Sequence, residues 1–171
     1  MTATSSNLAR ACAALLLAAL LAGCGFQLRG SDGSYSMPFQ SIYLAFPENS
    51  PLGTELKRNL RAGDTVTIES DAAKAEALFD VLSENRGKSI LSLNSLGRVR
   101  EYLLTYTLVF RVRDAKGNEL LGPTEITLRR SIAFDEGQVL AKESEEALLY
   151  RDMQADLVQQ IMRRLAAIKQ A

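Results

Sequence analysis

Val99-Arg100-Glu101-Tyr102-Leu103-Leu104-Thr105-Tyr106-Thr107-Leu108-Val109-Phe110-Arg111-Val112-Arg113 alternates along its whole length. Tyr102, Leu104, Tyr106, Leu108, Phe110 and Val112 fall on one face of an extended chain, and Leu103, Thr105, Thr107, Val109, Arg111 and Arg113 on the other. An unbroken apolar row on one side of a strand needs a second layer to bury it. The chain is therefore expected to build a sheet with one covered face, while the Thr and Arg side meets water or an anion.

Downstream, Asp114-Ala115-Lys116-Gly117-Asn118 has hairpin-turn chemistry. It leads to a strand over 125–134 with Ile126, Leu128, Ile132 and Phe134 on one side and Thr127, Arg129, Ser131 and Ala133 on the other. Arg130 interrupts the apolar side, which places it at an edge or rim. Upstream, residues 78–84 and 89–94 alternate roughly and read as one long or bulged strand, with Arg86-Gly87-Lys88 as the interruption and Gly97 at the following turn. Residues 41–46 form a short apolar strand ended by Pro47. A helix follows: Ser50 caps, Pro51 suits the first turn, Leu52, Leu56 and Leu60 share a face, and Gly63 stops it. Residues 65–69 read as a short extended piece, and 71–77 are Ala-rich and ambiguous.

The last helix is expected over 144–168. Tyr150, Met153, Leu157, Ile161, Leu165 and Ile168 form a continuous stripe, acids Glu145 and Glu146 open it, and Arg163, Arg164 and Lys169 close it in the order the helix dipole favours. Two apolar helix faces and one apolar sheet face bury one another. The expectation is an α+β two-layer sandwich, a mixed four-stranded sheet packed by two helices in the order β-α-β-β-β-α.

The 171 residues carry 20 basic and 20 acidic groups, so no basic excess announces a nucleic-acid partner. There is no His, which removes the commonest metal ligand and the usual base beside a Ser or Cys nucleophile. Ser89 beside Lys88 and the acids Glu143, Glu145 and Glu146 are the nearest approach to a catalytic group, and they read better as a loop pair and as helix-opening acids. The expectation is no enzyme, no catalytic residue, no metal and no cofactor.

Residues 11–22 are an apolar run too short to span a bilayer, which takes about 20 residues, and long enough for a signal peptide. Leu21-Ala22-Gly23-Cys24 resembles the bacterial lipobox. That resemblance implies removal of residues 1–23 and acylation of the Cys24 amine and thiol, S-diacylglycerol included. Cys12 leaves with the signal, so no free thiol remains for a disulfide or a nucleophile. Gly25 stands where Asp would hold a lipoprotein in the inner membrane, which points to the outer membrane. Residues 24–38, with Gly25, Gly30, Gly33 and Pro38, read as a lipidated tether to a domain over 39–171.

Cys24-Gly25-Phe26-Gln27-Leu28-Arg29-Gly30, then Arg100-Glu101-Tyr102, then Arg130-Ser131-Ile132-Ala133-Phe134-Asp135, Leu140-Ala141-Lys142 and Tyr150-Arg151-Asp152-Met153 appear in one order and spacing. Together they resemble the LptE family of lipopolysaccharide-assembly lipoproteins. The resemblance implies a protein on the periplasmic side of the outer membrane that assembles with, and plugs, the LptD β-barrel and binds lipopolysaccharide. It also implies a ligand-contacting Lys at Lys142. The family's other basic position falls near Ser95, with Arg98 three residues on. Because the ligand's phosphates suit Arg and Lys, Arg98, Arg100 and Arg129 join Lys142 as candidate contacts, with Arg86 and Lys88 also flanking the turn. A transport-auxiliary or solute-binding lipoprotein with a small sandwich, and a lipoprotein enzyme acting on cell-wall material, are the competing readings.

Overall fold

The computed structural model describes residues 36–63 and 66–169. Cys24, the signal and most of the tether lie outside the described residues. In chain order the elements are β1 (Ser41–Ala45), α1 (Pro51–Ala62), β2 (Thr67–Glu69), β3 (Ala77–Leu93), β4 (Val99–Asp114), β5 (Glu119–Ala133) and α2 (Val139–Ala166). Short 3-10 turns, Ala72–Lys74 and Glu136–Gln138, precede β3 and α2.

The fold is α+β with a mixed sheet and two helices, but the sheet has five strands, in the order β2-β1-β3-β4-β5, and not four. The extra strand is the piece at the end of 65–69. Its three residues are too few to show a period, yet they pair in parallel with β1 from Ser41↔Thr67 to Tyr43↔Glu69. β1 also pairs in parallel with β3, and β3, β4 and β5 are antiparallel neighbours.

The expected break at Arg86-Gly87-Lys88 is absent, since β3 runs through it in register with β4. The irregularities fall instead between Val81 and Ser83 and again between Ile90 and Leu93. The first one inserts Leu82, and its consequence is chemical. Before it, Ala77, Phe79 and Val81 share the helix side of the sheet; after it, Glu84, Arg86 and Lys88 lie opposite Leu108, Tyr106 and Leu104 on that same side.

Local chemistry fixes the joints. Ser50 Oγ accepts from Gly53 N at 3.0 Å at the start of α1. The β3–β4 and β4–β5 turns each hold a Gly at positive φ, Gly97 and Gly117, as tight turns require. Asn94 Oδ1 and Asp114 Oδ1 accept from the turn amides beside them.

Leu104, Tyr106, Leu108, Phe110 and Val112 are fully buried, as their alternation requires. Met153, Leu157, Ile161 and Leu165 of α2 cover them together with Leu52, Leu56 and Leu60 of α1. Phe46, Phe79 and Phe110 stack in a row, with ring centroids 5.5 and 4.7 Å apart. α2 starts at Val139, five residues before the expected Ser144, because the turn capped by Asp135 runs straight into it with no break. Lys142 therefore sits on the first helical turn and not in a loop.

Candidate functional site

The end of the sheet that carries the β3–β4 turn gathers most of the candidate residues. Arg98 leaves that turn and pairs with Glu136, in the turn before α2, at 3.3 Å. Arg100 opens β4, where its carbonyl accepts from Phe134 N at 2.9 Å; its side chain is exposed and enters no ion pair among the described residues. Lys142 projects from α2 and pairs with Glu145 at 2.8 Å. Lys142 and Lys88 line one small recess of about 70 Å³ with Tyr102, Ile132 and Phe134 at its floor.

Arg129 is not part of this group. It lies opposite Thr105, on the face of the sheet turned away from the helices. Arg130, one residue on, faces α2 and pairs with Asp156 at 2.6 Å, which explains how a charge fits into an otherwise apolar row on an edge strand.

The same end exposes large apolar side chains. Ile90, Leu91, Leu93 and Leu96 on the β3–β4 hairpin and Val139 and Leu140 at the start of α2 are all exposed, Leu96 at 75% and Leu140 at 80%. Apolar groups among four cations make an amphipathic surface, suited to a ligand that has both anionic and hydrocarbon parts.

Behind this end lies a groove of about 800 Å³ between β3 and α2, closed by Pro51 at the start of α1. Arg86 and Lys88 sit within β3 and face this groove; they do not flank the turn. Arg86 Nη2 donates to Tyr106 Oη and to Gln154 Oε1, each at 3.0 Å. Its guanidinium lies over the Tyr106 ring at 4.4 Å. Tyr106 Oη donates to Glu84 Oε1 at 2.6 Å, and Gln154 Nε2 donates to Glu55 Oε2 at 2.6 Å, so one network ties β3, β4, α1 and α2 together. Burial, with the bond to Glu84 second, pushes the Tyr106 phenol up to about 12.

Lys88 Nζ donates to Glu146 Oε2 at 2.6 Å, which raises its pKa, and lies 4.4 Å from the Tyr102 ring centroid. Tyr150 Oη donates to Gly87 O at 2.7 Å. Glu55, Glu84, Tyr106 and Gln154 were not legible as a set in the sequence. The one available signal was Gln154, a polar residue beside the apolar stripe of α2.

On the outer face of the sheet, Asp80 accepts from Arg111 Nε at 3.1 Å and from Arg113 Nε at 2.7 Å. Burial works to raise its pKa, but the two Arg bonds together outweigh that and hold the carboxyl below its usual range. Among the described residues no group of three His, Cys, Asp or Glu side chains could hold a metal ion, and no helix is long and apolar enough to cross a membrane.

The profile of the family described as LptE, lipopolysaccharide-assembly, matches residues 39–165. The chain is similar to the LPS-assembly lipoprotein LptE of Pectobacterium atrosepticum, 26% identical over 87% of this chain and 80% of that protein. It is also similar to the LptE of Photorhabdus laumondii, 24% identical over 88% and 81%. Among solved structures, an uncharacterized lipoprotein B from Nitrosomonas europaea is 40% identical with a TM-score of 0.71, covering 84% of this chain and 91% of its own. A minor lipoprotein from Acinetobacter baumannii is 30% identical with a TM-score of 0.64, covering 77% and 93%. The match spans all five strands and nearly all of α2, and the chain belongs to the LptE family of lipopolysaccharide-assembly lipoproteins.

Proposed function

We propose that the mature protein begins at Cys24, is held by its acyl chains at the periplasmic side of the outer membrane, plugs the LptD β-barrel and binds lipopolysaccharide without catalysing a reaction. The domain over 39–171 is then the plug, and 24–38 its tether. One observation supports the ligand half of this reading above others: Lys142, Arg98, Arg100 and Lys88 stand at one end of the sheet among the exposed Ile90, Leu93, Leu96 and Leu140. The phosphates of the ligand suit the cations, and its acyl chains suit the leucines.

Arg129 belongs to a different surface in this reading. With Thr105, Thr107 and Thr127 it forms a polar, charged outer face, and the lumen wall of a barrel is polar too.

The test is purification of the full-length lipoprotein from detergent-solubilised envelopes. A stoichiometric complex with a large β-barrel, and a mass showing three acyl chains on Cys24, are expected. A lone monomer, or an unmodified Cys24, would overturn the reading.

A further inference from the structure

β3 is 17 residues long and β1 only 5, so the two edges of β3 are matched very unequally. β1 pairs with it from Ile42↔Ala77 to Ala45↔Asp80 and then ends. From residue 81 to residue 93, β4 is the only strand beside β3 among the described residues. That leaves roughly 40 Å of main chain with one side unpaired, at about 3.4 Å per residue.

Within that length residues 83–90 keep an uninterrupted register with β4, fenced by an irregularity at each end. They contain no Pro. The sheet's two terminal edges are less inviting: β2 is only three residues long, and β5 is guarded by Pro123, which lacks a donor, by the break in its register with β4 between Phe110 and Arg113, and by Arg130, which pairs with Asp156 of α2. The guarded edge and the open edge differ in ways that matter for one kind of partner. Apart from the Gly87 carbonyl, which already accepts from Tyr150 Oη, no second strand engages this edge among the described residues, and a straight strand edge is complementary to another extended main chain.

The surroundings have room for it. The groove of about 800 Å³ runs along the helix side of this segment. Its charged lining is Arg86, Lys88 and Arg151 against Glu143 and Glu146, and Arg151 forms no ion pair among the described residues. On the outer side, Ser83, Asn85, Gly87 and Ser89 are small or neutral. A strand laid here would turn acidic or polar residues towards the groove and small ones outward.

We propose that residues 83–90 are a strand-addition site, and that an extended segment of the β-barrel partner pairs with them and continues the sheet past the end of β1. This rests on the plug reading above and adds to it the surface and the mode of contact.

Amide hydrogen exchange on the full-length lipoprotein, alone and co-purified with the barrel, tests it. Alone, alternate amides within 83–90 are expected to exchange at least ~100-fold faster than those of β4 at 104–110; in the complex the same amides slow by about tenfold or more. Fast exchange persisting in an intact complex overturns the strand-addition site and leaves the plug reading standing. Failure to recover any complex removes the plug reading, and this site with it. Concentration-dependent protection in the protein alone would mean that a second copy occupies the edge, which also overturns the proposal.

Discussion

Arg86 and Tyr106 are direct cross-strand partners, and the guanidinium both donates to the phenol oxygen and lies over its ring. Tyr106 is fully buried, so its hydroxyl depends wholly on these neighbours. The pair therefore links the buried centre of the sheet to the groove under α2. Replacing Arg86 by Met keeps much of the packing and removes the donor to Tyr106 and Gln154. The expected loss is about 1–2 kcal/mol in denaturant unfolding. An unchanged midpoint would mean that the network is ornamental.

The Tyr106 phenol gives a pH signature. Its folded pKa, about 12, exceeds the unfolded value of 10.0. The neutral phenol is therefore favoured by folding, and this stabilisation is complete below pH 10 and disappears as pH rises towards 12. Tyr106→Phe should flatten that stretch of the stability curve relative to wild type, by about 2 kcal/mol at most. If the two curves stay parallel from pH 9 to 12, the hydroxyl is not where the structure puts it.

Asp80 provides the opposite limb. Its carboxyl is held low by Arg113 and Arg111 against the pull of burial, so it contributes stability above its unfolded pKa of 3.8 and loses it as pH falls through the lower folded value. Asp80→Asn should lower stability at neutral pH and make unfolding less sensitive to acid below about pH 4. Thermal melts from pH 2 to 7 read both effects. A variant as stable as wild type at neutral pH, with the same acid limb, would count against the Asp80 bridge.

How much of this could be seen in the sequence depends on the length of each pattern. Six apolar residues at period two named the core face of β4, five of them buried, and six at helical spacing named the packed stripe of the last helix, of which Met153, Leu157, Ile161 and Leu165 are buried within α2. Thr67–Glu69 was invisible as a sheet member because three residues carry no period. A bulge could be expected in this strand but not placed at Leu82, because its position is set by cross-strand pairing, and that position decides that Arg86 and Lys88 face the helices. Lys142 was legible through the family resemblance, and Arg98 and Arg100 through their place beside the turn and the phosphate chemistry of the ligand that the resemblance implies. That they share an end of the sheet, and that Arg129 does not, is a matter of register.

Gly53 tests the join between α1 and the aromatic row. A Cβ there would lie 2.7 Å from the Phe46 ring, which in turn stacks on Phe79. Gly→Ala inside a helix normally gains about 1 kcal/mol. Here the ring must move, and a net loss of about 1–2 kcal/mol is expected instead. A stabilised Gly53→Ala variant would show that Phe46 has space to retreat.

The ligand reading makes a two-directional prediction at Lys142. Its ammonium is engaged by Glu145 at 2.8 Å, an exposed carboxylate that competes with any incoming phosphate. Lys142→Asp reverses the charge and should weaken binding of purified lipopolysaccharide by about tenfold at low salt, with circular dichroism unchanged. Glu145→Gln removes the competitor and should strengthen it, by a smaller factor of about two to three, because an exposed pair is worth less than about 1 kcal/mol. Both changes should shrink as salt is raised, since they act through screened charge. A Lys142→Asp protein that binds as wild type does would remove that residue from the contact surface. Weaker binding by Glu145→Gln would show that the carboxylate orients the ammonium instead of competing for it.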